Sequence, residues 1–184
     1  VEPENLVFGG CDLRRATPLE NLREFAEANG VPRADAIEAL AGDLDAYGAS
    51  VVPGLLVNVG DAVAAMADWR DTAEQLPAAV DRIRGEIRRF RQTHGLTRVI
   101  VVNLASAEPR TEPTEVLMDE DSAGLRRRIE SGRAEGLPTS TLYAVAALEE
   151  GCPWVNFTAS AGADFPAVRA LARERRLPTA GRDG

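Results

Sequence analysis

The sequence predicts an α/β fold in which helices cover a parallel sheet on both sides, in three layers. Short apolar stretches of strand character alternate along the chain with longer stretches of helical spacing, an order typical of parallel sheets whose strands are joined by helices. The clearest strand lies within residues 98–104 and contains the β-branched run 99–102, which indicates a strand covered on both faces. For a chain of 184 residues, one domain is the expected organisation.

The first elements are predicted from an apolar run and a capping sequence. Residues 5–11 form a short apolar run that contains two glycines, typical of a buried strand followed by a sharp turn. Residues 17–20 (Thr-Pro-Leu-Glu) supply an N-cap, a first-turn proline and a capping-box glutamate, so a helix is predicted from there to about residue 28. Apolar residues at helical spacing predict a second helix over 33–47.

The middle of the chain is predicted to be an irregular segment followed by a long helix. Residues 50–60 are apolar but interrupted by Pro-Gly, which favours an extended, irregular path. One face of the long helix is marked by apolar residues three and four apart, namely Val80, Ile83, Ile87 and Phe90. Gly95 is placed to end this helix, and the lone His94 is interpreted as its C-terminal cap rather than a catalytic group. Arginines on the other faces are interpreted as solvated surface.

The C-terminal half is predicted to hold a long connection followed by helix, strand and helix. Residues 108–136 are polar and contain two prolines, so we expect a connection with one short helix that is mobile without ligand. A helix over 139–150, a strand over 154–157 and a helix that opens at Asp164 as its N-cap complete the pattern.

Composition excludes several classes of function. The formal net charge of −8 would repel nucleic acid and anionic membrane surfaces, and no apolar run approaches the ~18 residues of a membrane span. The chain contains no lysine, so all 21 cationic side chains are arginine. Because arginine does not readily lose its proton, the chain by itself cannot carry out Schiff-base or lysine acid/base chemistry.

Cysteine and metal chemistry are not predicted either. Cys11 and Cys152 lie in separate apolar segments without CxxC spacing. They are interpreted as two reduced core thiols of a cytosolic protein, with a structural disulfide as the alternative. No group of His, Cys, Asp and Glu has metal-site spacing.

Candidate ligand-binding residues follow the predicted strands, because parallel sheets bind ligands beyond the carboxyl ends of their strands. Gly9 and Gly10 would allow close backbone approach, and the Asp12 carboxylate could accept hydrogen bonds from two ribose hydroxyls. A structural turn is the alternative, and the pattern alone favours it. The loop 103–106 after the next strand is either a ligand pocket or a strand end capped by its own side chains.

A third group of polar residues precedes the last predicted helix. Asn156, Thr158 and Ser160 offer an amide and two hydroxyls among small residues. This combination suits the hydroxyls and the phosphate of a sugar phosphate near a helix N-terminus.

Four segments in order carry a resemblance to a known family: 6–12 (LVFGGCD), 99–109 (VIVVNLASAEP), 140–162 and 180–184 (AGRDG). Together they resemble the myo-inositol-1-phosphate synthase family, in its bacterial form. The resemblance implies a Rossmann-like NAD-binding domain in which Asp12 faces the adenosine ribose of NAD. It further implies a set of cofactor-binding residues, Gly9, Gly10, Asp12, Asn103, Ala105, Ser106 and Asp183, and a set of substrate-binding residues, Asn156, Thr158 and Ser160.

The resemblance also implies an activity and a setting. Family members convert glucose 6-phosphate to 1L-myo-inositol 1-phosphate by oxidation, intramolecular aldol cyclisation and reduction, in the cytoplasm, for inositol and phospholipid biosynthesis, as homo-oligomers (tetramers). Residues 1–184 match part of one NAD-binding domain. The family's Gly-rich strand-turn-helix and its downstream region with the catalytic lysines have no counterpart in this chain, so we expect a fragment with no catalytic residue of its own.

Two alternatives stay open. One is a different NAD(P)-dependent sugar-phosphate oxidoreductase or cyclitol synthase. The other is a nucleotide-sensing domain without catalysis.

Overall fold

The structure is a computed structural model that describes residues 5–69, 75–105, 108–109 and 112–181. The strands within these ranges are β1 (Gly10–Asp12), β2 (Val51–Pro53), β3 (Val101–Asn103), β4 (Trp154–Asn156) and β5 (Thr179–Ala180). The helices are α1 (Pro18–Asn29), α2 (Ala34–Gly48), α3 (Asp61–Met66), α4 (Leu76–Thr93), α5 (Glu115–Met118), α6 (Ser122–Glu130), α7 (Thr139–Glu149) and α8 (Pro166–Arg175). Every strand pair is parallel within the described chain, so the predicted α/β class with parallel sheets and flanking helices is confirmed.

The described residues form two compact units. The first comprises residues up to 54 together with 66–69, and the second comprises residues 55–65 and those from 75 onward. β1 and β2 form a two-stranded sheet in the first unit, and the second unit holds a three-stranded sheet in the order β3-β4-β5.

The helix α1 begins where its capping residues predict. The Thr17 hydroxyl accepts a hydrogen bond from the Glu20 amide at 3.2 Å, and the Glu20 carboxylate accepts one from the Thr17 amide at 2.7 Å. This reciprocal capping box satisfies two amides that the helix itself cannot pair. Gly30 ends α1 in the left-handed conformation, which a glycine adopts without steric cost.

The first strand differs from its prediction. It covers only residues 10–12 rather than 5–11, and Leu6, Val7 and Phe8 ahead of it are exposed instead of buried. β1 pairs with β2 over three residues. The apolar run ahead of the paired residues is therefore left in contact with solvent.

The core of the second unit is built around α7. Nine of its eleven residues are buried, as expected for a helix with helices packed on several sides. Its neighbours are α4, α8 and the strands β3 and β4. The side chains of Leu142 and Leu148 on this helix have no solvent exposure.

The sequence predicted that strand β3 is covered on both faces, but the structure covers only one of them. Asn103 is buried, whereas Val102 is 49% exposed, and its neighbours Ile100 and Leu104 on the same face are exposed as well. Successive side chains of a strand point to opposite faces. One face of β3 therefore meets the helical core, and its other face is open among the described residues.

The connection 108–136 contains two helices, α5 and α6, instead of the single short helix predicted. Leu117, Leu125 and Ile129 anchor them in the hydrophobic core. Asp121 caps α6 by accepting a hydrogen bond from the Ala123 amide at 2.9 Å. The high charge of the segment obscures the spacing of these three apolar residues in the sequence. The mobility of the segment without ligand stays a prediction.

The elements α7, β4 and α8 agree with the sequence prediction except at the N-cap of α8. α7 and β4 end within one residue of their predicted ends. The N-cap of α8 is Phe165, not Asp164, because Pro166 occupies the first helical position and restricts the residue before it to extended geometry. The two-residue strand β5 was not predicted.

Neither cysteine forms a disulfide. Cys152 is buried as predicted, but Cys11 is exposed, so its assignment to the core is wrong. Among the described residues, no three His, Cys, Asp or Glu side chains are grouped as a metal site would need. No described helix combines the length and apolarity needed to cross a membrane.

Candidate functional site

In the first unit, Asp12 lies at the carboxyl end of β1, where ligands of parallel sheets bind. Its Oδ1 atom accepts a hydrogen bond from the Arg14 amide at 3.0 Å. The Arg14 guanidinium turns instead to Glu24, with an Nη2–Oε2 distance of 2.8 Å. Within the described residues no other hydrogen bond reaches the Asp12 carboxylate, so this half-buried group keeps acceptor capacity for a ligand.

Gly9 and Gly10, which precede Cys11 and Asp12, are exposed. A Cβ atom added to Gly10 would meet only the Tyr47 hydroxyl, at an ordinary contact distance of 3.8 Å. The backbone at Gly10 is not left-handed either. The fold of the first unit therefore does not require glycine at this position, whereas close approach of a nucleotide to the backbone would require it. These features of the strand end fit a dinucleotide.

In the second unit, Asn103 and Asn156 occupy equivalent positions at the ends of β3 and β4. The Asn103 amide nitrogen donates to the Asn156 side-chain oxygen at 2.9 Å and to the Thr158 hydroxyl at 3.2 Å. The Asn156 amide nitrogen donates to the Ser160 carbonyl at 2.6 Å. Both asparagines are buried, at 7% and 2% exposure. This network fixes the loop after β4.

The residues predicted to bind substrate are thus brought together, but they form hydrogen bonds with one another. Asn156 and Ser160 are buried, and Thr158 is half-buried. The Ser160 hydroxyl accepts a hydrogen bond from the Glu108 amide at 3.3 Å. Of the three predicted residues, Thr158 has the most surface to offer a ligand. Their role as substrate ligands stays a prediction.

The loop after β3 opens with a side-chain turn. The Ala105 amide donates to the Asn103 side-chain oxygen at 3.3 Å, a local bond by which an asparagine can cap a strand end. Ala105 is exposed, and Leu104 beside it is 72% exposed. Two further predicted cofactor residues, Ser106 and Asp183, lie outside the described residues.

Glu108 has a side-chain role that the sequence analysis missed. Its two carboxylate oxygens accept hydrogen bonds from the amide and the hydroxyl of Ser140, each at 2.5 Å. A signal was present: an acidic residue after a strand and a Thr-Ser-Thr sequence at the start of a helix. The two are 32 residues apart, and nothing in the local sequence pairs them.

A family model for the NAD-binding domain of proteins described as myo-inositol-1-phosphate synthase matches residues 1–184. The chain belongs to the myo-inositol-1-phosphate synthase family. NAD is accordingly the cofactor of the matched domain. This confirms the family resemblance and the cofactor expected from the sequence.

Curated relatives carry matching names. The chain is 31% identical over 198 residues to inositol-3-phosphate synthase 1 of Macaca fascicularis, covering 100% of this chain and 31% of that protein. It is 32% identical over 171 residues to inositol-3-phosphate synthase 1 of Homo sapiens, covering 85% of this chain and 26% of that protein. The enzyme of this name from Bacteroides thetaiotaomicron is 30% identical over 106 residues, 56% of this chain and 24% of that protein. The chain thus spans about a third or less of the curated relatives it matches.

Solved structures show the same fold. Inositol-3-phosphate synthase of Caenorhabditis elegans superposes with a TM-score of 0.82 at 20% identity, covering 100% of this chain and 34% of that one. A myo-inositol-1-phosphate synthase-related protein of Thermotoga maritima superposes with a TM-score of 0.64 at 21% identity, covering 96% of this chain and 42% of that one. The Rossmann-like α/β fold is thereby confirmed.

Proposed function

We propose that the chain is part of the NAD-binding domain of an enzyme that converts glucose 6-phosphate to 1L-myo-inositol 1-phosphate. The observation that carries this proposal is the family match over residues 1–184, supported by relatives named inositol-3-phosphate synthase. Oxidation, intramolecular aldol cyclisation and reduction are the proposed steps. The net reaction is an isomerisation in which the cofactor is regenerated.

Residues at the strand ends are proposed to hold the cofactor. NAD, when bound, supplies a hydride acceptor that becomes a hydride donor in the last step. Asp12 accepts hydrogen bonds from the ribose hydroxyls, and Gly9 and Gly10 allow close approach of the dinucleotide. The residues of the second unit and of the C-terminal segment that are proposed to serve cofactor binding, directly or by positioning, are Asn103, Ala105, Ser106 and Asp183.

Asn103 acts through its neighbours in this proposal. It is buried, and its amide nitrogen is engaged by Asn156 and Thr158. Its contribution is therefore to shape the loop that presents Ala105. This is a positioning role rather than direct contact with the dinucleotide.

Substrate binding is proposed at the loop after β4. Asn156 and Ser160 hold the loop in shape. The Thr158 hydroxyl donates to Asn156 and accepts from the Asn103 side chain and the Ser160 amide, and a neutral sugar hydroxyl would bind it by replacing one of these partners. A neutral set of donors and acceptors suits a polyol. Because the chain has no lysine, proton transfer and stabilisation of the enolate are assigned to lysines outside these 184 residues.

The wider setting is proposed on the same basis. The complete enzyme would serve inositol and phospholipid biosynthesis in the cytoplasm, as a homo-oligomer. Neither nucleic acid nor a membrane is a proposed partner, in keeping with the net charge of −8.

The test is an assay of the protein expressed from its natural reading frame, with glucose 6-phosphate and NAD. Phosphorus and proton NMR should show inositol phosphate without net accumulation of NADH. Net NADH formation from another sugar phosphate would favour a different oxidoreductase. Binding of NAD without turnover of any sugar phosphate would favour a nucleotide-sensing domain. The matched control is the Asp12→Ala protein, which should form product only at raised NAD concentration.

A further inference from the structure

Glu108 connects the loop after β3 to the first turn of α7. The Ser140 amide and hydroxyl donate to the two oxygens of one carboxylate, at 2.5 Å each. Ser140 is 3% exposed and Glu108 is half-buried. A carboxylate at a helix N-terminus gains from the unpaired amides and the helix dipole, and hydrogen bonds to a charged acceptor are stronger than neutral ones.

The same two residues also hold the loop after β4. The Ser140 hydroxyl accepts a hydrogen bond from the Gly162 amide at 3.0 Å, and the Glu108 amide donates to the Ser160 hydroxyl at 3.3 Å. Next to them, the Thr141 hydroxyl donates to the Gly162 carbonyl at 2.9 Å. The pair, hereafter the Glu108–Ser140 bridge, therefore joins both loops to one helix end.

We propose that Glu108 is a positioning residue for NAD binding, acting through this bridge. The bridge holds residue 108, where the loop after β3 ends, and so helps to present Ala105, near the start of that loop, to the cofactor. The identity of the ligand rests on the proposed function, whereas the bridge itself does not. A positioning role is assigned to Glu108 rather than a direct contact, because each of its carboxylate oxygens accepts a hydrogen bond from Ser140.

The bridge is separable from the stability of the core. α7 is held by buried apolar side chains on its later turns, among them Leu142, Val145 and Leu148. These contacts do not involve Glu108, so a change at Glu108 should loosen the loop without unfolding the second unit. Substitution of a residue that only stabilised the fold would lower the stability of the second unit as much as it loosened the loop.

The experiment compares Glu108→Gln, Ser140→Ala and the double variant in the protein expressed from its natural reading frame. Glutamine keeps the size of the side chain but sets an amide NH₂ group against one of the two Ser140 donors. Glu120→Gln is the matched control, since it removes the same charge from an exposed position of the second unit. The readouts are the Kd for NAD by calorimetry, amide exchange at Gly162 and the Tm.

We expect Glu108→Gln to weaken NAD about tenfold and to speed exchange at Gly162, with a Tm within about 4 °C of the unsubstituted protein. The double variant should lose no more affinity than the stronger single variant, because both remove the same bridge. Glu120→Gln should leave all three readouts unchanged.

Unchanged NAD affinity in Glu108→Gln would overturn the positioning role. An equal loss of NAD affinity in the Glu120→Gln control would overturn it as well. Faster exchange at Gly162 with unchanged affinity would show that the bridge is structural only. If the unsubstituted protein bound no NAD, the cofactor assignment would fall as well. That outcome is distinct from a loss of the positioning role alone.

Discussion

Asp12 is the single residue whose proposed contact is most directly testable. In the protein expressed from its natural reading frame, Asp12→Ala should weaken NAD by roughly 1.5–3 kcal/mol, the range for a hydrogen bond to a charged group. This corresponds to about ten- to hundredfold in Kd. Discrimination against NADP should relax, because the carboxylate that repels a 2′-phosphate is removed.

The matched control for this variant is Asp43→Ala, which removes an exposed carboxylate from α2 of the same unit. Calorimetric titration with NAD and NADP measures both effects. Equal affinities for Asp12→Ala and the unsubstituted protein would identify Asp12 as a structural turn residue.

Substitution of Gly10 should affect NAD binding without affecting the stability of the fold. Gly10→Ala should change the free energy of unfolding by less than about 0.5 kcal/mol, because an added Cβ meets only the Tyr47 hydroxyl at 3.8 Å. The NAD affinity should fall about tenfold or more, ~1.4 kcal/mol, if the dinucleotide approaches the backbone there. Denaturant unfolding and NAD titration of the same sample give the two numbers.

Gly42→Ala in α2 is the comparison for Gly10, since an added Cβ there has open space. It should leave NAD affinity unchanged. A Gly10→Ala protein that bound NAD normally would remove this glycine from the site.

At this scale the sequence could predict which polar residues follow a strand, because strand ends are local features. Asp12 and Asn156 are found at strand ends as predicted. Their hydrogen-bond partners could not be predicted. Asn156 is engaged by Asn103, 53 residues away, and only the pairing of β3 with β4 brings the two side chains together.

Among the elements, residues 108–136 carry the clearest prediction. The burial of Leu117, Leu125 and Ile129 restricts the mobility expected there to backbone outside α5 and α6. Without ligand, we expect the amides of α6 to be protected nearly as well as those of β4, whereas the amides of Glu112 and Thr114 should exchange at least about tenfold faster.

Amide exchange followed residue by residue, with and without NAD and glucose 6-phosphate, measures this difference. Protection of the Glu112 and Thr114 amides equal to that of β4 in the absence of ligand would contradict the predicted mobility. Absence of protection in α6 would contradict the packing.

Helices were easier to predict than strands for a physical reason. Helix ends depend on adjacent residues, as the capping box of Thr17 shows, whereas the length and the covering of a strand depend on distant partners. β3 has β4 as its one strand neighbour among the described residues, and its outer face is open. The apolar run 99–102 alone could not reveal that.

For the whole molecule, we expect the 184-residue chain on its own to fold but to turn over no glucose 6-phosphate. Its core supports folding, and the absence of lysine removes the groups assigned to proton transfer. Circular dichroism checks the fold, and NMR checks for product. Inositol phosphate formed by this chain alone would contradict the assignment of those steps to residues outside it.

The difference in exposure between the two thiols allows a fluorescent label to be attached to the first unit alone. Cys11 is exposed and directly precedes Asp12, whereas Cys152 is buried and burial raises the pKa of its thiol, partly opposed by the Arg91 guanidinium. A maleimide fluorophore at neutral pH should therefore label Cys11 alone, since the thiolate is the reactive form. The dye would report nucleotide arrival one residue from the predicted ribose contact, without any engineered substitution.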